Sequence, residues 1–274
     1  MSSLSPLRYP GGKGKLFPRV SKIIVDNKLN NKIYVEPFAG GCGLVLKILK
    51  NKLAKSIIIN DYDYCVYAFW YSILNYKDEF INKILNTNIN LDEWENQRNI
   101  YLNYKTYNIL DVGFATFFLN RTNYSGILKS GPIGGKKQLS NYKLDCRFNK
   151  ADLINKIEFV YSNKDFISLY NLEANDLIKD VIKNNHNNYF INFDPPYYTK
   201  GPELYKNFFN DENHRILKDT INNCKSKWIL TYDYCEFIDK LYRTKRKEII
   251  SLNYSTKKSK LGQELLIYSK DLIV

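Results

Sequence analysis

The sequence predicts an α/β protein: a mostly parallel sheet wrapped by helices, with a mainly helical segment inserted into it. Three observations lead there. Short β-branched and aromatic runs bounded by polar residues have the length and content of buried strands. They are "KIYVEPF" (32–38), "SIIIND" (56–61), "IEFVYS" (157–162), "YFINFDPP" (189–196), "KWILTYD" (227–233), "KEIISLNYS" (247–255) and "ELLIYS" (264–269). Helical patterns separate several of them, and strands alternating with helices imply a doubly wound, mostly parallel sheet. Between Tyr62 and Asn149 that alternation stops.

The elements follow in order. "GLVLKILKNKL" (43–53) carries apolar residues at three- and four-residue spacing and reads as a helix after the first strand. Residues 62–149 hold helix-like aromatic and polar segments, then the glycine-rich stretch "NYSGILKSGPIGGKKQ" (123–138), with no evident sheet strand. This predicts a subdomain at 62–149 inserted into a sheet domain made of 1–61 and 150–274. "IKNNHNNY" (182–189) reads as a short polar loop, and "DENHRILKDTINNC" (211–224) opens with acidic residues suited to a helix N-terminus.

Composition narrows the function classes. The 274 residues suffice for one large domain or a core with an insertion. No apolar run approaches the ~20 residues that span a bilayer, and "MSSLSPLRYP" lacks the apolar centre of a secretory signal. A cytoplasmic protein without a membrane partner is expected. Five scattered cysteines form no C-x-x-C pair, so free, mostly buried thiols are expected rather than disulfides or a zinc site. The two histidines, His186 and His214, have no second ligand at metal-binding spacing, and no metal is expected. Forty-one Lys and Arg against 28 Asp and Glu give +13, a charge that draws a polyanion such as nucleic acid. An A+T-rich genome also enriches Lys, Asn, Ile and Tyr, so charge alone leaves both explanations open.

Chemistry concentrates in four places. "LRYPGGKGKLFP" (7–18) resembles a phosphate cradle, but Tyr9 stands where the Walker pattern needs its first Gly and Leu16 where it needs a hydroxyl. "VEPFAGGCGL" (35–44) ends a strand, turns through three glycines and opens a helix, so a ligand can approach its backbone; Asp61, ending the next strand, stands where nucleotide-type folds bind ribose hydroxyls. "NFDPPYY" (192–198) ends another strand at two prolines, which project the Asp194 carboxylate, the Pro195 carbonyl and the Tyr197 ring beyond the sheet. Two acceptors beside an aromatic plate suit a flat ring bearing an exocyclic amine. "FFLNRTNYSGILKSGPIGGKK" (117–137) interleaves basic, amide and aromatic residues suited to phosphates and bases; a solvated loop remains the other reading.

Taken together, these motifs resemble the Dam-like DNA adenine-N6 methyltransferases across nearly the whole chain, in the family's order. The resemblance implies a Rossmann-like fold binding S-adenosylmethionine (AdoMet), an inserted DNA-recognition subdomain, double-stranded DNA as substrate and, in some members, a cognate restriction endonuclease as partner. Tyr9, Gly11, Gly12 and Lys13 would close the cofactor pocket against the turn Glu36, Pro37, Phe38, Ala39, Gly40 and Gly41. Asp61 would bind the ribose, and Asp165 and Phe166 in "SNKDF" would flank the cofactor's adenine. Asp194, Pro195, Pro196 and Tyr197 match the catalytic D-P-P-Y. Arg121, Asn123, Tyr124 and Gly126 match the family's R-x-x-Y-N-G recognition stretch, with Ser125 in place of Asn, so base preferences do not carry over. Lys257, Lys258 and Lys260, ahead of a matching E-L-L-I strand, would meet phosphates.

The chemistry fits without the family. An adenine amine is a poor nucleophile because its lone pair is delocalised. Hydrogen bonds to Asp194 and the Pro195 carbonyl pull it toward tetrahedral geometry and expose the lone pair to a sulfonium methyl. The base must leave the helix, at a few kcal/mol, and stacking on Tyr197 offsets ~1–3 kcal/mol of that. The rivals are methylation of cytosine N4 or RNA adenine, and a nucleic-acid-binding protein without catalysis.

Overall fold

The computed structural model describes residues 3–8, 12–182, 185–199, 201, 207–253 and 261–274. The chain separates into two compact units, one of residues 1–12 with 63–169, the other of residues 13–62 with 170–274.

The second unit holds the sheet. Its strands are β1 (Ile33–Glu36), β2 (Ser56–Asn60), β4 (Tyr189–Phe193), β5 (Lys227–Asp233), β6 (Arg246–Asn253) and β7 (Leu261–Tyr268). With β3 (Ile167–Tyr170), which enters this unit at Tyr170, the order is β3-β2-β1-β4-β5-β7-β6. β1 pairs in parallel with both β2 and β4, and β4 with β5. β7 runs antiparallel between β5 and β6.

The helices of this unit are α1 (Phe17–Asp26), α2 (Val45–Lys50), the single turn α8 (Ala174–Asp176) leading into a π-helical stretch Leu177–Ile182, α9 (Asp211–Asn223) and α10 (Glu236–Leu241). Val35, Ile191, Phe193 and Leu230 from the strands pack with Leu217, Ile221 and Ile238 from helices in one apolar core. Each such side chain removed from water contributes about 1.5–3 kcal/mol.

The first unit is helical: α3 (Tyr64–Asn75), α4 (Lys77–Asn86), α5 (Leu91–Leu102), α6 (Ile109–Thr122) and α7 (Lys150–Ser162). Phe69 and Trp70 of α3, Phe80 of α4, and Phe114 and Phe117 of α6 are buried together; Phe69 stacks on Phe117 at 5.8 Å. Such ring pairs add about 0.5–1.5 kcal/mol each beyond area burial. The chain's many asparagines serve as helix caps. Asn90, Asn108, Asn149 and Asn210 each accept a backbone N–H three residues on, opening α5, α6, α7 and α9. A cap of this kind contributes about 1 kcal/mol.

Two expectations are corrected. "IEFVYS" (157–162) is the end of α7, not a strand: Asn149 caps that helix, and Leu153, Ile157 and Val160 bury one face at spacings of four and three. The aromatic and β-branched content pointed to a strand, but the 3.6-residue period of the longer window prevails. The strand nearest that stretch is β3, "ISLY", missed because it lies at the end of the strand order and is only partly buried. The thiols also differ: Cys42 and Cys65 are buried, Cys224 and Cys235 partly so, and Cys146 is exposed.

Candidate functional site

β1 and β4 lie side by side, and the chain proceeds from β1 toward one end of the sheet and from β4 toward the other. Their carboxyl ends therefore form the topological switch point, the crevice where open α/β sheets bind ligands. "EPFAGG" follows β1 and "DPPY" follows β4. The sequence motifs thus meet at one edge.

At the end of β1 the turn is pinned by β2. The Ala39 N–H donates to the Asn60 carbonyl at 2.8 Å, the Asn60 amide donates to the Pro37 carbonyl at 2.9 Å, and the Gly40 N–H donates to Asp61 Oδ2 at 2.8 Å. Gly40 and Cys42 have positive φ. The segment after Lys13 lies against this turn: Lys47 donates to the Gly14 carbonyl at 2.7 Å, and Gly14 and Gly43 approach closely enough that a Cβ on either would be in contact.

Glu36 points inward rather than at the crevice. It is 5 % exposed, its Oε1 accepts from the Asn192 amide at 3.3 Å and its carboxyl also meets the Val45 N–H at the start of α2. Burial, reinforced by the charge of Asp194, pushes this carboxyl up to about 8. It is neutral over most of the physiological range.

At the end of β4 five polar side chains converge. Lys13, from a 3-10 turn (Lys13–Leu16) before α1, places its ammonium 2.9 Å from Asp194 Oδ1 and 3.5 Å from Glu264 Oε1. The Lys13 ammonium also donates to the Tyr197 hydroxyl, which in turn donates to Glu264. Thr231 of β5 donates to Asp194 Oδ1 at 2.7 Å. Lys13, Tyr197 and Glu264 are nearly out of water. Burial raises the Glu264 carboxyl above its ordinary range, and Lys13 opposes that rise. Asp233 closes the turn beyond the prolines, its two oxygens accepting the N–H groups of Tyr198 and Thr199, each at 2.9 Å.

This arrangement presents one carboxylate oxygen for use. Asp194 Oδ1 is held by an ammonium and a hydroxyl, while among the described residues nothing hydrogen-bonds to Oδ2 or to the Pro195 carbonyl. Pro196 follows Pro195 directly and keeps the turn rigid.

Lys13, Asp194 and Tyr197 are brought together as contacts. Thr231 and Glu264 were not singled out from the sequence; the signal for each was a polar residue inside an apolar strand, "ILTYD" and "QELLIYS". Tyr9, Gly11, Lys257, Lys258 and Lys260 lie outside the described residues. Gly12 is exposed.

In the helical unit, Asp165 and Phe166 are both exposed on a 3-10 turn (Lys164–Phe166) that precedes β3. The stretch resembling a recognition segment is mostly turned inward. Arg121 is buried, its Nε donating to the Arg147 carbonyl at 2.8 Å and its Nη1 to the Pro6 carbonyl at 3.4 Å. Burial and the charge of Arg8 lower its guanidinium to about 10. Asn123, fully buried, accepts from the Trp94 indole at 2.7 Å and donates to the Ile127 and Leu128 carbonyls. Gly126 has φ 75°, and a Cβ there would collide with the Arg8 carbonyl. Tyr124, by contrast, is 52 % exposed. Arg121, Asn123 and Gly126 therefore hold the loop from inside, the basic and amide side chains of the first two satisfying internal carbonyls.

Residues 9–257 match a family model described as D12 class N6 adenine-specific DNA methyltransferase. No individual curated protein matched the chain.

Proposed function

The chain belongs to the D12 class of N6 adenine-specific DNA methyltransferases, which use AdoMet, and from that premise we propose that the cluster around Asp194 performs the transfer. The observation that carries this reading is the asymmetry of Asp194: Oδ1 is fixed by Lys13 and Thr231, and Oδ2 is unoccupied by any hydrogen bond among the described residues. Oδ2 and the Pro195 carbonyl take the two amine protons of a flipped-out adenine. That draws the nitrogen toward tetrahedral geometry, and its lone pair faces the methyl carbon. Lys13 and Thr231 keep Oδ1 from rotating into the amine's place; the Tyr197 ring is 4 % exposed with the Lys13 ammonium 4.5 Å from its centroid, so the stacking on the base that the motif implies requires its neighbours to shift. AdoMet supplies a methyl group on a positively charged sulfur. When bound, AdoMet would give up that methyl from sulfur to nitrogen, and the proton the amine then loses would pass through Asp194 Oδ2 to solvent.

The donor set at the glycine turn fits that cofactor. The turn offers close-approach backbone, and Asp61 offers a carboxylate held at the strand end by the Gly40 N–H. Asp61 would take the ribose hydroxyls, with Phe38, Ala39, Gly40, Gly41 and Lys13 lining the approach; Glu36 and Pro37 support the turn from behind. The resemblance also assigns Tyr9, Gly11, Gly12, Asp165 and Phe166 to cofactor binding. We assign the sheet unit to cofactor binding and catalysis, and the helical unit to DNA recognition, with Tyr124 its exposed ring and Lys257, Lys258 and Lys260 meeting phosphates.

No helix among the described residues is long and apolar enough to cross a membrane. A cytoplasmic location belongs to this reading as an expectation; protection from a cognate restriction endonuclease, an orphan role and a mobile-element role all remain open biological settings. Cytosine-N4 and RNA-adenine methylation give way to the family's specificity for DNA adenine.

The test is Asp194→Ala. Methyl transfer should fall at least ~100-fold, the scale for losing one group that acts in the transition state, while labelled AdoMet still binds. Activity near the wild-type level would sink the mechanism.

A further inference from the structure

We propose that Arg8 and Arg147, both in the helical unit, form a seat for one backbone phosphate of the DNA. Neither arginine was singled out from the sequence. Two adjacent buried residues of α6 set their main chains. Asn120 grips Arg8 on both sides, its Oδ1 accepting the Arg8 N–H at 2.6 Å and its Nδ2 donating to the Arg8 carbonyl at 3.0 Å and to the Gly126 carbonyl at 2.9 Å. Arg121, the next residue, grips the Arg147 carbonyl at 2.8 Å. Gly126 packs so tightly on the Arg8 carbonyl that no side chain fits there.

The fold thus spends a buried amide and a buried guanidinium on fixing the main chain at two further arginines. Those two have no counter-charge: among the described residues no carboxylate lies within ion-pair distance of Arg8 or Arg147. Arg147 is exposed, and Arg8 is partly buried with its Nη1 out of water and unpartnered. Burial, and then the charge of Arg147, pull the Arg8 guanidinium below its ordinary range.

A buried donor without an acceptor beside a like charge is unfavourable in the free protein. An anion at the accessible nitrogens of the pair relieves the repulsion. A phosphodiester suits the pair because its negative charge is shared between two oxygens, and guanidinium forks match that geometry. A guanine edge offers acceptors to one fork but no charge to offset two cations. The pair therefore holds the backbone rather than reading sequence.

The proposal rests on the duplex-DNA reading above, and the test separates the two. Wild type, Arg8→Gln and Arg147→Gln are titrated with short duplexes of random and of methylated-site sequence over a salt series, and their methylation patterns on genomic DNA are read by single-molecule sequencing. Each variant should bind every duplex about tenfold more weakly at low salt. Its plot of log affinity against log salt should be shallower by roughly one unit, with the methylated motif unchanged. Thermal midpoints should hold or rise, because neither side chain has a partner to lose. An unchanged salt slope in both variants overturns the phosphate seat, as does a changed motif, which would make Arg8 a base reader. A steep fall in thermal midpoint makes the arginines structural and overturns it too. Wild type that binds no duplex at all sinks the parent reading as well.

Discussion

The two units treat buried charge in opposite ways. In the sheet unit, Lys13 sits between two carboxylates, Asp194 and Glu264, and every one of these groups also engages Tyr197 or Thr231. In the helical unit, Arg8, Arg121 and Arg147 lie near one another, and the partners they have are carbonyls. The contrast teaches what each region is for. A paired cluster is preorganised, so its groups need not move as charge develops in a reaction. A cluster in which cations outnumber the nearby anions, Asp152 being the one that acts on Arg121, attracts a polyanion. On the proposed function, the first would serve chemistry on a small group and the second a grip on DNA.

The comparison can be broken or sharpened by substitution. The largest effect should come from Arg121→Ala, which removes a buried guanidinium and leaves the Arg147 and Pro6 carbonyls short of donors. Stability should fall by about 2–3 kcal/mol, measured by denaturant unfolding. A variant as stable as wild type would return Arg121 to the DNA-facing role that the sequence suggested.

Next is Glu36→Gln. The Glu36 carboxyl stands at about 8 in the folded protein because of burial, and in the unfolded chain it takes its ordinary value near 4.3. Between these two values the folded state holds the proton and the unfolded state does not, so stability falls as pH rises. From pH 6 to pH 8 that loss is roughly 2 kcal/mol. The Gln variant should lose this slope, with its unfolding midpoint varying less over the window. Parallel pH profiles for the two proteins would place Glu36 in water.

The smallest effect is at Thr231→Val, where the donor to Asp194 Oδ1 disappears and Lys13 remains. One hydrogen bond contributes about 0.5–1.5 kcal/mol, so kcat should drop by several-fold up to about tenfold, with AdoMet affinity unchanged. An unchanged kcat would leave Lys13 as sufficient to hold the carboxylate.

Much of the catalytic edge was legible. Two prolines after "YFINF" can only end a strand, and an acidic residue there must project beyond the sheet, so Asp194 could be placed without coordinates. The glycine turn after β1 and Asp61 after β2 follow from the same strand-then-turn logic. The strand at 157–162 was misread because six residues are too short to separate a period of two from one of 3.6, and its composition favoured the wrong answer. The internal contacts of the recognition-like stretch were hidden for another reason. Basic, amide and aromatic side chains have the same chemistry whether they face bases or backbone carbonyls, and "NRTNYSG" uses most of them on carbonyls.

By itself the sequence determined most of the strands and helices of the sheet unit, since periodicity, caps and prolines act within a few residues, though not the helix over 157–162 or the strand β3. It also determined which strand ends carry acceptors. Only the tertiary structure decided which charges are paired. Lys13 reaches Glu264 because β7 inserts antiparallel beside β5, bringing its early residues to the carboxyl edge of the parallel strands. Arg121 is spent internally because α6 is buried along its whole last turn. Pairing and burial arise from contacts between segments far apart in the chain, and their energies depend on the local dielectric that folding creates.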